Sequence, residues 1–186
     1  SVSALDGSWV TEPVYHDVYP GPNSLLLVGA DGCDLLANDG SIRHFSWEAL
    51  GFLNGDRPGW SMEMRPQWVG NSIILDYLPE GWRMLNTSTE EVSTIQVEGA
   101  SPSESGVVHF SERLGSLQKD GLWGAVTPYG EWTVAPQFAF DLYFYNGYAQ
   151  TTLPDGQYVI VDRNGTVLLS SWNFLEQHIW NSGRYY

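Results

Sequence analysis

Cysteine and long apolar runs are the scarcest features of this sequence. Cys33 is the one cysteine, which excludes an intrachain disulfide and a cysteine-based zinc site. No stretch approaches the ~18 apolar residues of a membrane-spanning helix. Residues 1–20 lack the basic and apolar segments of an export signal. These absences predict a chain that does not insert into a membrane and folds without covalent cross-links or a cofactor.

Basic residues are also few, since eight lysines and arginines stand against 22 acidic residues and give a net charge of −14. Only Lys119 is a lysine. A surface of this sign repels phosphate backbones and anionic lipid headgroups. The charge therefore predicts that nucleic acid is not a partner, whereas a protein or a glycan remains open.

Glycine and aromatic residues are abundant instead. The 186 residues include 20 Gly, 10 Pro, nine Trp, ten Tyr and seven Phe. Short strands joined by frequent tight turns have this composition, and helical bundles rarely do. A chain of this length buries roughly 70% of its unfolded surface, enough for a core of its own. The composition therefore predicts an all-β fold.

Acidic-glycine turns recur along the chain at related spacings. Asp155-Gly156 follows Asp120-Gly121 by 35 residues, and Gly165 follows Gly130 by the same interval. The segment starting at Asn23 resembles the one starting at Asn71. Such periodicity is the mark of a repeat architecture. The glycines predicted to mark the turns are Gly32, Gly40, Gly81, Gly121, Gly130, Gly156 and Gly165.

Each repeat is predicted to be a β-hairpin extended into a three-stranded meander. In the last copy, Gln157–Asp162 and Thr166–Leu169 read as strands around Asn164-Gly165, a pair typical of a type I′ turn. We expect one domain over 1–186, with units at about 23–70, 71–110, 111–145 and 146–180 and partial units at both ends. A long insertion lies within 41–70. An open or curved array is predicted, with a small propeller-like closed ring as the alternative.

The segment from Lys119 to Phe138 resembles the bacterial WG repeat. That family carries D-G-x-W-G, then G-x-W, then P-x-F, which match residues 120–124, 130–132 and 136–138. The other copies are degenerate: Gln157-Tyr158 stands in place of Trp-Gly in the last one. The resemblance implies a tandem all-β architecture in bacterial proteins, many of them exported or envelope-associated. It supplies no catalytic residues.

Tryptophans concentrate on or near the long insertion, where packing demands are loosest. Exposed indoles form platforms for sugar rings or for aromatic and cationic groups of a partner, whereas buried ones pack over sheet edges. The candidate ligand-binding residues are Trp47, Trp60, Trp68 and Trp82.

No catalytic constellation or metal site is recognisable. The histidines have no metal-ligand spacing, and the acidic residues around Gly32 and Gly40 are explained as hairpin turns better than as a calcium loop. A carbohydrate-active enzyme would need two carboxyl groups about 5–10 Å apart. The acids available for it near 41–82 are Glu48, Asp56, Glu63, Asp76 and Glu80.

The sequence therefore favours a non-enzymatic binding or scaffold module with a protein or glycan ligand. The alternatives are the carbohydrate-active enzyme and a structural spacer within a longer repeat protein. The resemblance favours an extracellular or cell-envelope location over a cytoplasmic one. The oligomeric state is left open.

Overall fold

The computed structural model describes residues 14–52, 65–102 and 106–171 of the chain. Within these ranges the chain forms sixteen strands in four antiparallel sheets and no helix. The prediction of an all-β fold made of tandem antiparallel meanders is confirmed. Its closure into a ring or extension as an array stays a prediction.

The first two sheets have four strands each, connected in chain order. Sheet 1 contains β1 (Asp17–Pro20), β2 (Ser24–Val28), β3 (Gly32–Ala37) and β4 (Ile42–Ser46). Sheet 2 contains β5 (Gln67–Val69), β6 (Ser72–Leu78), β7 (Gly81–Asn86) and β8 (Val92–Gln96).

The last two sheets follow the same order. Sheet 3 contains β10 (Phe110–Ser111), β11 (Leu114–Lys119), β12 (Leu122–Val126) and β13 (Trp132–Phe138), with the short β9 (Ala100–Ser101) paired to β11. Sheet 4 contains β14 (Tyr148–Thr152), β15 (Tyr158–Asp162) and β16 (Val167–Ser171).

The repeating unit contains one more short strand than the three expected. β1, β5 and β10 precede the three long strands of sheets 1 to 3, and an isolated bridge between Tyr145 and Tyr148 takes that place beside sheet 4. The predicted unit limits place β1 and β5 before the unit to which each belongs, and they divide β10 after Phe110. Two to four residues give too little alternation to be recognised as a strand in sequence.

The acidic-glycine turns all lie between the second and third of the four strand positions, although their backbones differ. Asp120 and Gly121 both have positive φ, 53° and 80°, and join Lys119 to Leu122 in a type I′ hairpin. Gly32 and Gly81 instead begin strands and do not have positive φ. The sequence periodicity therefore identified equivalent turns in the four sheets, but it did not determine the backbone conformation of each turn.

The prediction of a type I′ turn at Asn164-Gly165 is wrong. Only Gly165 of the pair has positive φ, and its N–H donates to the Asp162 carbonyl over 3.0 Å. This is the three-residue loop in which a glycine bulge follows a type I turn. The Asp162 carboxylate favours it by accepting the N–H groups of Asn164 and Thr166, both at 2.9 Å. These bonds lower the pKa of Asp162.

The last hairpin of every sheet has a left-handed residue at the end of its loop. Its left-handed residue is Gly40, Glu90, Gly130 or Gly165, with φ of 84°, 64°, 83° and 80°. The loop of sheet 2 is one residue longer and holds the one non-glycine of the set. The four sheets therefore share this feature of their last hairpins, as expected for repeats of one structural unit.

A glycine with no room for a side chain lies on the third strand position of sheets 1 to 3. A Cβ atom built on Gly32 would lie 2.1 Å from the Phe45 carbonyl oxygen, and one on Gly81 would lie 1.9 Å from that of Ile95. At Gly124 the nearest atom is the Val134 carbonyl oxygen at 2.4 Å. These glycines let the outer strand approach closely.

Apolar side chains from successive sheets form the cores. One cluster joins sheets 1 and 2 around Leu26, Leu35, Ile73 and Leu85. Another joins sheets 3 and 4, and its largest member is Phe138. The described residues form two compact units. The first unit contains the residues up to Asp76 together with Trp82–Thr94. The second contains Tyr77–Gly81 and the residues from Ile95 on.

Cys33 is a core residue on β3. Its side chain is fully buried, and this desolvation raises the pKa of the thiol to about 12. Cys33 thus serves as a small packed side chain near the start of β3.

Candidate functional site: the tyrosine face of sheet 4

One face of sheet 4 is buried in the core, and most of the other face is only partly buried. Consecutive residues are buried in strands of the other sheets, as in Leu26-Leu27-Val28 of β2 and Leu114–Leu117 of β11, whereas in sheet 4 this occurs only at Thr151-Thr152, where β14 ends. Since neighbouring residues point to opposite faces, both faces of those strands are covered. Burial in β15 alternates strictly, with Val159 and Val161 in the core. The opposite side of sheet 4 is therefore less covered.

Aromatic and apolar side chains occupy most of this less covered side, where Thr152, the partner of Tyr158, is buried. Tyr145 pairs with Tyr148 across the bridge, Gln150 pairs with Ile160, and Ile160 pairs with Leu169. Cross-strand partners share a face. We define the tyrosine face as Tyr145, Tyr148, Gln150, Tyr158, Ile160 and Leu169. Tyr145, Tyr148 and Leu169 are 41%, 48% and 50% exposed.

A tight turn fixes the two most exposed tyrosines. Asn146 and Gly147 have φ of 51° and 85°, so they form a type I′ turn between Tyr145 and Tyr148. The Glu112 carboxylate accepts the Gly147 N–H over 2.9 Å. The Arg163 guanidinium donates to the Glu112 carbonyl over 2.7 Å. Glu112 thus ties this turn to sheet 3 and to the last hairpin of sheet 4.

Two buried serines hold the segment that leads into the tyrosine face. The Ser116 hydroxyl accepts the Leu142 N–H, and the Ser111 hydroxyl accepts the Phe144 N–H, both over 2.8 Å. Leu142 and Phe144 are buried. The intervening Tyr143 is 57% exposed. The segment is therefore anchored by alternate residues while it presents an aromatic ring to solvent.

Removing the Ser111 hydroxyl is expected to destabilise this segment. In Ser111→Ala the Phe144 N–H loses its partner, and a buried unpaired donor costs about 1–3 kcal/mol. Urea unfolding should show a loss of this size. Gln118→Ala, which removes an exposed bond to the Gly121 carbonyl, serves as the control and should change the unfolding free energy by less than about 0.5 kcal/mol. Equal losses in both variants would contradict the anchoring role.

The structure places two of the four candidate tryptophans in the interior. Trp82 on β7 is fully buried. Trp47 is 8% exposed, its indole N–H donates to the Ala30 carbonyl over 3.1 Å, and its ring meets Phe52 edge-on with centroids 5.8 Å apart. Neither ring is presented to solvent as a platform.

Of the other two candidate tryptophans, one lies within the described residues and the other lies outside them. Trp68 on β5 is partly buried against the core of sheets 1 and 2. Its ring lies so close to Gly21 that a Cβ there would be 2.2 Å from its Cε2. The buried Trp68 indole nitrogen has no hydrogen-bond partner among the described residues. Trp60 lies outside the described residues.

A turn after β4 explains the position of Trp47. The Leu50 N–H donates to the Ser46 carbonyl over 3.0 Å, which closes one turn over Ser46–Leu50. The Ser46 hydroxyl accepts the Ala49 N–H over 3.2 Å. This turn directs Trp47 and Leu50 into the core.

A polar cluster on sheet 1 centres on Asp34. Its carboxylate contacts the His44 Nδ1 atom over 2.5 Å and accepts a hydrogen bond from the Tyr15 hydroxyl. Desolvation, followed by the bond to Asp34, raises the pKa of Tyr15 to about 12. No group of three or more potential ligands in the described ranges could hold a metal ion. The cluster therefore links strands and offers no metal geometry.

Three of the five acids considered for an enzyme lie within the described residues. Glu48 and Glu80 are exposed, whereas the proton donor of a glycosidase needs an environment that raises its pKa. Asp76 is half-buried on β6. Asp56 and Glu63 lie outside the described residues.

Sequence reasoning missed the tyrosine face because its strands also look like buried ones. Four consecutive strand formers, Tyr158 to Val161, read as a fully covered strand, and periodicity cannot distinguish that case from an apolar face left open. The available signal was the pair of tyrosines flanking Asn146-Gly147, a turn that places both on one face.

Within the described ranges, no helix has the length and apolar character needed to cross a membrane. No protein-family profile and no curated protein matches the sequence.

Several solved structures are similar in fold at low identity. BamB from Moraxella catarrhalis is 12% identical with a TM-score of 0.41, covering 83% of this chain and 48% of its own. Apo AztD from Citrobacter koseri is 12% identical with a TM-score of 0.44, covering 89% and 50%. The computationally designed Ika8 protein is 13% identical with a TM-score of 0.41, covering 84% and 48%. The chain thus spans about half the length of these proteins.

Proposed function

We propose that this chain is a non-enzymatic binding or scaffold module of the WG-repeat type that recognises a protein or glycan through the tyrosine face. The observation that carries the proposal is the lighter burial of one face of sheet 4, where Tyr145, Tyr148 and Leu169 are exposed on a fixed sheet surface. An extracellular or envelope location accompanies the proposal, on the WG resemblance alone.

Tyrosine suits such a surface for two reasons. Its ring supplies a large contact area with little conformational entropy to lose, and its hydroxyl can bond to a partner. The turn at Asn146-Gly147 and its bond to Glu112 hold the two rings before any ligand arrives. Preorganisation of this kind lowers the cost of binding.

The proposal predicts that Tyr148→Ala weakens binding without unfolding the chain. Ligands are first found by screening the wild-type chain against glycan arrays and purified candidate proteins, and the dissociation constant is then measured by calorimetry. Loss of a central tyrosine contact costs about 1.4–2 kcal/mol, or roughly 10- to 30-fold in affinity. The thermal midpoint should stay close to that of the wild type.

Tyr129→Ala is the matched control. Tyr129 is 60% exposed on a turn of sheet 3 and is not part of the tyrosine face. Its replacement should leave affinity unchanged. A ligand bound equally by the wild type and Tyr148→Ala would contradict the proposed site, and failure to find any ligand would favour the structural-spacer alternative.

A further inference from the structure

The outermost strand of sheet 4 has an open edge. β16 pairs with β15 on one side, and no strand in the described part of the chain pairs with its other side. Val167, Leu168 and Leu169 are 44%, 53% and 50% exposed. Three consecutive apolar residues are therefore accessible on both faces of one strand, next to a row of backbone donors and acceptors.

The corresponding strands of the other sheets carry features that oppose further pairing. β4 contains Arg43 and His44, and β13 contains Pro136, which has no N–H to donate. β8 has no strongly exposed apolar side chain. β16 has neither charge nor proline. An exposed aliphatic edge without these protections is suited to accept another strand.

We propose that the open edge of β16 binds an extended, apolar and basic segment of a partner protein by β-strand addition. The inference rests on the proposed function, because it names the partner class of the surface that begins at the tyrosine face. Leu169 belongs to both the face and the edge. Backbone hydrogen bonds would supply affinity, and alternate side chains of the segment would contact Leu169 and its neighbours.

Charge decides between a partner segment and a second copy of the chain. Each copy carries a net charge of −14, so pairing two β16 edges brings together two strongly negative molecules. A segment with lysine or arginine between apolar residues is attracted by the same field. An acidic segment is repelled. The partner is therefore expected to be cationic, and its binding is expected to weaken as salt rises.

The test uses a synthetic peptide in which valine alternates with lysine and threonine, labelled for fluorescence anisotropy. At low salt it should bind the wild-type chain at least about tenfold more tightly than a version with glutamate in place of lysine, a difference of about 1.4 kcal/mol. Methylating the amide nitrogens along one edge of the peptide should abolish binding, because β-addition needs those donors.

Leu168→Lys tests the edge from the side of the protein. It introduces the charge that edge strands use against pairing and should weaken peptide binding about tenfold or more. Ile42→Lys, a similarly exposed position on β4, should leave binding unchanged. The N-methylated peptide alters no protein residue and therefore decides the question if Leu168→Lys fails to fold.

The inference would be overturned if the methylated peptide or the glutamate peptide bound as tightly as the unmodified lysine peptide. A dimer, seen by analytical ultracentrifugation, that Leu168→Lys dissociates would also overturn it, because the occupant would then be a second copy. If no peptide binds but Tyr148→Ala still weakens an identified ligand, strand addition is wrong and the proposed function stands. If no peptide binds and Tyr148→Ala does not weaken any identified ligand, both the inference and the proposed function are rejected.

Discussion

Gly81→Ala is expected to destabilise the fold strongly. A methyl group at this position would lie 1.9 Å from the Ile95 carbonyl oxygen and 3.2 Å from the Gln96 Cα. Both are backbone atoms, which cannot rotate away as a side chain does. Forcing β7 and β8 apart should cost about 3 kcal/mol or more of unfolding free energy, measured by urea denaturation.

Gly40→Asn is the comparison that separates crowding from loss of glycine itself. Gly40 has φ of 84° and no atom within 4 Å of a built Cβ, and asparagine tolerates this conformation. The variant should lose at most about 1 kcal/mol. If Gly81→Ala proves as mild as Gly40→Asn, the close approach of β7 and β8 is not required by the fold.

Trp82→Ala should lower the stability of the chain, and it should leave ligand binding intact while the variant is folded. Trp82 is fully buried in a strand with both faces covered. Truncating a buried tryptophan removes its burial energy and leaves a cavity, which costs about 3–5 kcal/mol. Urea or thermal unfolding measures this loss, and binding to any identified ligand should persist under conditions where the variant remains folded.

Tyr129→Ala provides the exposed reference for this measurement, because its ring is 60% exposed. Its unfolding free energy should stay within about 0.5 kcal/mol of the wild type. A Trp82→Ala variant that keeps full stability but loses ligand binding would restore this residue as a binding platform.

The sequence predicted the fold through its turns. Glycines at related spacings located the hairpins, and the run of four strand formers from Tyr158 to Val161 identified a strand, because tight turns and strands impose local requirements on residue type. The two-residue strand Phe110–Ser111 was not recognised, because two residues show too little alternation even though its partners Leu114 and Gly115 are close in sequence. The type I′ expectation at Asn164 failed because the Asp162 carboxylate, two residues earlier, selects another turn.

The candidate site was harder to predict than the fold. Tryptophans near an insertion suggested exposed rings, but burial depends on which sheet packs over which, and Trp82 lies inside. Conversely, Tyr148 and Leu169 looked like ordinary strand residues until the structure showed them exposed on a lightly covered face of their sheet. Exposure is a tertiary property, and residue type alone does not determine it.

The burial of Cys33 has a practical consequence for spectroscopy. Because the chain's one native thiol is inaccessible and stays protonated at neutral pH, maleimide reagents should not react with it in the folded protein. A cysteine introduced at a solvent-facing position such as Tyr143 would then be the sole labelling point. Fluorophores or spin labels could report on ligand arrival with the wild-type interior left untouched.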